Sequence, residues 1–298
     1  MSGNSSSSCS AMKTGIIGLG AMGAGMALNL DRAGYLYAVW NRTRSKADVL
    51  AVQTAASVTD SPAELAADCE LIIICVSRDE DVLEMIHALL PGIKADTVVV
   101  DTSTVSADTA VQAAALLADK QAGFLDCPVS GGVEGAQQGT LAVMAGGEAA
   151  TLQRVRAVLE AISSRITLVG PVGSGQACKA VNQIICAGLY ESVAEALAFG
   201  KVLGLDLNKV VEVVAGGAAA NWVLDNRSDF MLDESFPPGF KVNLHLKDLA
   251  ICLRMAQAAG IKTLPLTELA IADYQRLIEQ GHGEEDTSSV YRLKGLNS

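Results

Sequence analysis

The sequence lacks the features of a nucleic-acid-binding, membrane-spanning or metal-binding protein. Its 298 residues carry a net charge of −11, so it has no excess of positive charge to attract a phosphate backbone. It also has no apolar stretch that is long and uninterrupted enough to cross a bilayer. The seven cysteines are scattered without metal-like spacing, which favours buried free thiols in a reducing cytosol. We therefore expect a cytoplasmic protein without nucleic-acid, membrane or metal partners.

The first eleven residues lack the marks of a targeting segment. Residues 1–11 are rich in serine and contain neither a long apolar run nor an arginine, so neither a secretory signal nor a transit peptide is predicted. We expect a flexible tail there. Half of all residues are apolar, and the remaining length suits one large domain or two ordinary ones.

Apolar runs and helical patterns alternate through the first half of the chain. Strands are predicted near residues 14–17, 37–40, 55–58, 71–76, 97–100, 123–126, 141–145 and 166–169. Helices are predicted between them, for instance over 22–30, 61–67, 79–90 and 106–120. Continuous apolar strands that alternate with helices predict a parallel sheet covered on both faces.

A glycine motif stands where the first predicted strand meets the first predicted helix. Positions 18–23 read GLGAMG. In this setting the first glycine permits a tight turn, the second lets the backbone approach a pyrophosphate, and the third lets helix and strand pack closely. The helix N-terminus then favours the anion. The motif predicts a dinucleotide site formed by Gly18, Gly20, Ala21, Met22 and Gly23.

The end of the second apolar run indicates which dinucleotide binds. An NAD site usually has an acid there, which accepts hydrogen bonds from the ribose 2′-hydroxyl. This chain instead has Asn41, Arg42 and Thr43, followed by Arg44 and Lys46. A guanidinium holds a 2′-phosphate that a carboxylate would repel. NADP(H) is therefore predicted over NAD, and a solvated basic loop is the alternative.

After residue 170 the strand-like runs vanish. Helices are predicted over 176–202, 207–214, 247–258 and 264–279. The pattern over 176–202 is so apolar that we expect it to be the buried axis of a second domain. The predicted architecture is thus an α/β, Rossmann-type doubly wound sheet over 12–172, followed by an all-helical domain over 173–298.

A second candidate site lies in DCPVSGG, at 126–132. The motif follows a strand-like run, so we place it at the carboxyl end of a sheet strand, where ligands bind in open α/β folds. The hydroxyl of Ser130 and the unshielded N–H groups of Gly131 and Gly132 suit an anion. An ordinary turn is the alternative interpretation.

Two further motifs place lysines in apolar helical patterns. In GSGQACKAVNQ, at 173–183, Asn182 and Gln183 share a helix face with Lys179. A buried lysine needs a partner or a function, whereas one near a helix end can also reach water. In LHLKDL, at 244–249, Lys247 and Asp248 open another helical run. Spacing alone does not distinguish a functional pair there from a helix-start acid beside a solvated lysine.

Taken together, the four motifs in this order resemble those of the β-hydroxyacid dehydrogenase family. That family includes 3-hydroxyisobutyrate dehydrogenases and the reductases of tartronate, glyoxylate and succinic semialdehydes. The resemblance covers essentially residues 12–298. It implies a Rossmann domain, a helical C-terminal domain, and homodimers or homotetramers built largely through that second domain.

The resemblance also implies roles for individual residues. Lys179 would be the catalytic acid/base, and Thr104 would lie beside the nicotinamide. The family often has Asn at the position of Gln183, which leaves open whether Asn182 or Gln183 contacts the substrate. The remaining implied contacts are with the substrate carboxylate for Ser130, Gly131 and Gly132, and with substrate and cofactor for Lys247.

The implied function is NADP(H)-dependent hydride transfer between the nicotinamide and a small 3-hydroxy acid or its semialdehyde. The chemistry is consistent with this, because a Lys179 ammonium can stabilise charge on a carbonyl oxygen and donate its proton there. Desolvation or the proximity of Lys247 would lower the pKa of Lys179. The alternatives are an imine reductase on the same fold, a 6-phosphogluconate enzyme, and a non-catalytic NADPH-binding protein.

Overall fold

The computed structural model describes residues 11–295, so the predicted tail lies outside the described residues except for Ala11. The chain forms two compact units that divide between Ala177 and Cys178. Within the described range, no helix has the length and apolar character that crossing a membrane requires.

One sheet organises the N-terminal unit. Its strands are β1 (Thr14–Ile17), β2 (Leu36–Trp40), β3 (Ser57–Val58), β4 (Leu71–Ile74), β5 (Val98–Asp101), β6 (Gly123–Asp126), β7 (Val129–Ser130), β8 (Leu141–Gly147) and β9 (Ser163–Gly170). The order is β3-β2-β1-β4-β5-β6-β8-β7, and β9 pairs with β8. The first six strands run parallel, whereas β8 is antiparallel to β6 and β7.

Helices cover both faces of this sheet. They are α1 (Ala21–Arg32), α2 (Arg44–Ala51), α3 (Pro62–Asp68), α4 (Asp79–Leu89), α5 (Ala107–Ala118), α6 (Gly132–Gln138) and α7 (Ala149–Glu160). Neighbouring residues of β1 enter different cores: Ile16 packs in one cluster with Met26, and Ile17 in another with Leu65. Both faces of the strand are therefore buried, which explains why polar and apolar residues do not alternate along it. The predicted Rossmann-type doubly wound sheet is confirmed.

The C-terminal unit is helical, as predicted. Its elements are α8 (Ser174–Val202), which begins in the N-terminal unit, α9 (Leu207–Ala215), α10 (Trp222–Leu232), α11 (Val242–Ala258), α12 (Pro265–Glu279) and a 3₁₀ helix (Thr287–Leu293). Its core gathers residues from α8, α11 and α12, among them Tyr190, Leu249 and Tyr274. Between Gly170 and residue 295 the only β pairing is an isolated bridge from Lys241 to Asp286.

Two sequence predictions for this unit were wrong in detail. The helix that carries Lys247 begins five residues earlier, at Val242, whose N–H donates to the Glu285 carbonyl 3.0 Å away. That distant segment fixes the helix start, so no local pattern could show it. The second error concerns α8, which was expected to be the buried axis of this unit. It buries only one face. Val181, Ile185 and Phe199 on another part of its surface are 59%, 57% and 64% exposed.

Candidate active site

The glycine turn between β1 and α1 is shaped by close backbone approaches. Gly18 has φ +94°, and a Cβ there would lie 2.1 Å from the carbonyl oxygen of Cys75. A Cβ on Gly23 would lie 1.9 Å from the carbonyl oxygen of Gly18. Only glycine fits at these two positions, which explains the first and third glycines of the motif.

The second glycine of the turn faces open space. A Cβ on Gly20 would meet no atom within 4 Å, so a ligand can approach the backbone here. Gly20 is also the N-cap of α1, and among the described residues no side chain caps this helix start. The first turn begins Ala21-Met22-Gly23 and carries no acid. These features fit the pyrophosphate of a dinucleotide, which binds backbone N–H groups at a helix N-terminus.

Beside this turn is a cavity of about 190 Å³ at the end of β2. Its lining includes Gly18, Gly20, Asn41, Arg42, Thr43 and Lys46. Asn41 links the glycine turn to the segment after β2. Its Oδ1 accepts from the N–H of Leu19 at 2.8 Å, and its Nδ2 donates to the carbonyl of Thr43 at 2.9 Å. The predicted cofactor residues of the glycine turn and of β2 therefore do lie together.

The same cavity contains an acid that the sequence analysis missed. Asp81, in the first turn of α4, lies 3.2 Å from Nη1 of Arg42 through its Oδ1. By contrast, Arg44 pairs with Asp60 and Asp48, and it is not among the residues that line the cavity. Only the sheet order brings α4 beside the end of β2, so spacing along the chain gave no sign of Asp81.

Thr104 lies in the loop after β5, half-buried. The adjacent Ser103 binds the loop after β4, because its Oγ accepts from the N–H of Val76 at 2.9 Å. Gln176 binds the same β5 loop twice, through Oε1 to the N–H of Val105 (3.1 Å) and through Nε2 to the carbonyl of Ser103 (2.9 Å). Ser103 and Gln176 thus hold Thr104 in place, and neither was singled out from the sequence.

Ser130 is not at the end of the four-residue strand that leads into the motif. That strand, β6, ends at Asp126, and Ser130 ends the separate two-residue strand β7, paired with Ala142 of β8. Gly131 and Gly132 follow with φ of +129° and +66°. Both glycines are exposed and Ser130 is half-buried, so their polar groups are accessible to a small anion.

Asp126 has a structural role that links two of the motifs. Its carboxylate is buried and accepts from the N–H groups of Gly173 (2.8 Å) and Gln176 (2.9 Å) at the start of α8. Burial raises the pKa of Asp126, and these hydrogen bonds oppose the rise. The first residue of DCPVSGG therefore anchors the GSGQ segment.

In the C-terminal unit, Lys179 is 7% exposed on the first turns of α8. Burial is the main reason that its pKa is lowered from the ordinary value. The nearby carboxylate of Asp248 raises the pKa of Lys179, and the positive charge of Lys247 lowers it. Lys179 is thus a buried amine whose pKa is lowered mainly by burial and adjusted by the charges of Asp248 and Lys247.

Asp248 connects the predicted residues of this unit. Its Oδ2 accepts from Nε2 of Gln183 at 2.6 Å, and its Oδ1 lies 3.0 Å from Nζ of Lys247. Asn182 joins from the other side, because its Nδ2 donates to Oε1 of Gln183 at 2.8 Å. The structure therefore brings Lys179, Asn182, Gln183 and Lys247 into one cluster. Asp248 is its central member, noted in the sequence only as a neighbour of Lys247.

Within residues 11–295, no group of three or more His, Cys, Asp or Glu side chains is placed to hold a metal ion. The six cysteines in that range are all free thiols.

Two protein-family models match the chain. Residues 13–170 match the family described as the NAD binding domain of 6-phosphogluconate dehydrogenase. Residues 173–294 match the family described as "NAD-binding of NADP-dependent 3-hydroxyisobutyrate dehydrogenase". The two matches together cover nearly the whole of the part described.

The matches to individual relatives extend over nearly the full chain. The 2-hydroxy-3-oxopropionate reductase of Escherichia coli is 36% identical over 96% of this chain and 98% of its own length. The NAD-dependent L-serine dehydrogenase of Pseudomonas aeruginosa is 34% identical over 93% and 96%. The structure of Mycobacterium tuberculosis 3-hydroxyisobutyrate dehydrogenase with L-serine matches with TM-score 0.86 and 30% identity, over 97% of this chain and 100% of that one. The chain accordingly belongs to the β-hydroxyacid dehydrogenase family of nicotinamide-dependent oxidoreductases.

Proposed function

We propose that the protein is an NADP(H)-dependent reductase or dehydrogenase of a small 3-hydroxy acid or its semialdehyde, with Lys179 as the general acid/base. The observation that carries the proposal is the burial of Lys179 against Asp248 and Lys247 on a helix of the C-terminal unit. Amines in such surroundings are suited to proton transfer, because small changes in their environment move their pKa.

Lys179 moves a proton at the substrate oxygen. When the nicotinamide is bound, it supplies or accepts the hydride. In the reducing direction the Lys179 ammonium donates its proton as negative charge builds on the carbonyl oxygen. In the oxidising direction the neutral amine accepts the hydroxyl proton. The lowered pKa makes the neutral form of Lys179 accessible at a lower pH than for an exposed lysine.

Support for NADP(H) comes from the cavity at the end of β2. Arg42 and Lys46 line it, and Asn41 stands where an NAD site usually has an acid. A guanidinium and an ammonium suit a 2′-phosphate. Asp81 pairs with Arg42 in the free protein and so competes with the 2′-phosphate. This competition would reduce the preference for NADP(H) over NAD(H) without reversing it. Because one relative is named as NAD-dependent, the preference rests on these residues rather than on the family.

We assign the substrate carboxylate to Ser130, Gly131 and Gly132. Their hydroxyl and backbone N–H groups provide several donors. Lys247 is proposed as a further contact of substrate and cofactor. Asn182 and Gln183 donate within the cluster around Asp248, so we expect them to orient that acid as well as the substrate. Thr104 is proposed to lie beside the nicotinamide, on the loop held by Gln176.

A spectrophotometric screen of NADPH oxidation tests the proposal. The substrates are glyoxylate, succinic semialdehyde, tartronate semialdehyde and methylmalonate semialdehyde, with butanal as the neutral control. We expect at least one acid to exceed butanal by about 10²-fold or more in kcat/KM, because orientation by the carboxylate increases the rate of the chemical step. Comparable values for acids and butanal would contradict the carboxylate assignment and favour imine or simple carbonyl reduction.

The variant Ser130→Ala sharpens that screen. It should reduce the ratio of kcat/KM for the acids to kcat/KM for butanal, by lowering kcat and raising KM for the acids alone. Ser57→Ala, at an exposed serine of β3, is the matched control and should leave this ratio unchanged. An unchanged ratio in Ser130→Ala would remove Ser130 from the substrate site.

We also propose that copies of the chain associate through the C-terminal unit. Val181, Ile185 and Phe199 expose an apolar surface on α8 that water solvates poorly. Light scattering on the purified protein measures the assembly, and a monomeric mass would contradict this proposal.

A further inference from the structure

His245 lies in the core of the C-terminal unit, among aromatic rings. It belongs to α11 and has no exposed surface. The centroid of its ring is 4.8 Å from that of Phe240, 5.3 Å from that of Tyr274 and 6.3 Å from that of Tyr190. Packing on several sides confines the imidazole to one orientation.

Both ring nitrogens of His245 have partners. Nε2 lies 3.2 Å from the backbone carbonyl oxygen of Gln183, and Nδ1 lies 3.1 Å from the hydroxyl of Tyr274. A carbonyl oxygen can only accept, so Nε2 must carry the hydrogen. In the neutral ring Nδ1 then has a free lone pair, and the Tyr274 hydroxyl donates to it. The partners thus select one tautomer.

The surroundings keep this ring neutral. Burial lowers the pKa of His245 to about 4, and the charge of Lys179 on α8 acts in the same direction. Asp248, three residues later on α11, acts in the opposite direction but does not overcome burial. The facing group from α12 is the neutral hydroxyl of Tyr274. The ring is therefore predominantly neutral near neutral pH.

Two residues of α11 bind the same residue of α8. His245 holds the backbone of Gln183, and Asp248 holds its side chain at 2.6 Å. Lys179 precedes Gln183 by four residues on the same helix face, so these contacts fix the spacing between its turn and Asp248. Because Asp248 raises the pKa of Lys179, that spacing also sets the protonation of the amine.

We propose that His245 is a positioning residue, locked as the neutral Nε2–H tautomer between Tyr274 and Gln183, that holds the Lys179 turn of α8 at a fixed distance from Asp248. A neutral ring fixes this geometry without adding positive charge beside Lys179. The effect on turnover rests on the proposed role of Lys179, whereas the tautomer can be measured independently of any activity.

Nitrogen NMR of the full-length protein tests the tautomer directly. The chain has three histidines, so the ring signals can be assigned by substitution. We expect His245 to show a protonated Nε2 and an unprotonated Nδ1, unchanged between about pH 5 and pH 9. Exposed His87 on α4 is the internal reference. A protonated Nδ1 with a bare Nε2, or titration of His245 within that range, would overturn the proposal.

Paired variants test the effect on turnover. His245→Leu removes the donor to Gln183 and should lower kcat by about 10- to 10²-fold with KM changed less than about threefold. As the link to Asp248 loosens, the pKa of Lys179 should fall, so the basic limb of the pH profile for reduction moves to lower pH. His245→Gln, whose amide can donate to the same carbonyl, should recover most of kcat and restore the limb.

Tyr274→Phe completes the set by removing only the hydroxyl. It should change the Nδ1 signal of His245 and have a smaller effect on kcat than His245→Leu. If the Leu and Gln variants are equally impaired, or if both unfold more easily but keep the wild-type kcat and pH limb, His245 is a core residue alone. Near-normal turnover of a Lys179 variant would instead contradict the proposed function and leave the tautomer result standing.

Discussion

The N-terminal unit builds its candidate cofactor site mainly from backbone, whereas the C-terminal unit builds its candidate proton-transfer site from side chains. In the first, Gly18 and Gly23 leave no space for a Cβ, and Gly20 leaves space for a ligand. In the second, Lys179, Gln183 and Asp248 meet through functional groups on two helices. Adding a methyl group should therefore damage the first site, and removing a functional group should damage the second.

The two regions also differ in how far apart their parts lie in the chain. The glycine turn is complete within six residues, from 18 to 23. Gln183 and Asp248 are 65 residues apart, and His245 is 62 residues from the carbonyl that it binds. A site made of backbone conformation can thus be specified by a short stretch of sequence. A cluster of charged side chains forms only when distant helices pack together.

The largest expected effect is that of Lys179→Ala. This substitution should lower kcat by about 10²–10⁴-fold, the usual contribution of a general acid/base. Affinity for NADPH, measured by fluorescence titration, should change little because the candidate cofactor residues of the glycine turn and of β2 belong to the N-terminal unit. Lys201→Ala, at an exposed lysine of the same helix, is the control. Near-normal turnover of Lys179→Ala would show that the candidate site of the C-terminal unit does not transfer the proton.

Two glycine variants test the candidate cofactor site of the N-terminal unit. Gly23→Ala forces a Cβ against the Gly18 carbonyl and should lower the free energy of unfolding by about 1–3 kcal/mol. It should also weaken NADPH binding on the order of 10²-fold by displacing the turn.

Gly20→Ala is the matched variant, because its Cβ enters open space in the free protein. It should keep the wild-type melting temperature and still weaken NADPH binding, since the methyl group occupies the path of the ligand. Equal destabilisation by both variants, or unchanged affinity in Gly20→Ala, would show that the turn serves packing alone.

A smaller effect is expected from Arg42→Ala. A charge-assisted contact with the 2′-phosphate is worth roughly 1.5–3 kcal/mol, so NADPH affinity should fall by about one to two powers of ten and NADH affinity much less. Arg44→Ala, which removes a cation paired with Asp60 outside the cavity, should leave both affinities unchanged. Equal losses for both cofactors, or a wild-type preference for NADH, would contradict the NADP(H) proposal.

Sequence alone predicted the fold because its signals are local. The predicted runs of β1 and β6 match the observed strands, since each strand is buried almost throughout and its central residues are apolar. The loss of strand-like runs after residue 170 correctly indicated a helical unit. The short strand β7 and helix α10 were not predicted. Two residues carry no periodicity, and α10 mixes polar and apolar residues without a clear stripe.

The candidate site was predicted only in part. Lys179, Gln183 and Lys247 stand in motifs whose resemblance to a known family implied their roles, and the structure brings them together. Asp81 and Tyr274 stand in no motif and reach their partners through tertiary packing. Their roles depend on contacts between elements distant in sequence, which hydrophobic periodicity does not record.

The central claim is that Lys179 of the C-terminal unit transfers the proton. Its most direct test is the pH dependence of kcat in both reaction directions, with the best substrate from the screen. Reduction needs the protonated amine, so its rate should fall as pH rises through the lowered pKa of Lys179, below the ordinary lysine value of about 10.4. Oxidation needs the neutral amine and should rise with pH over that same region. Rates that stay flat up to about pH 10 in both directions, or limbs that persist in the residual activity of Lys179→Ala, would contradict the account.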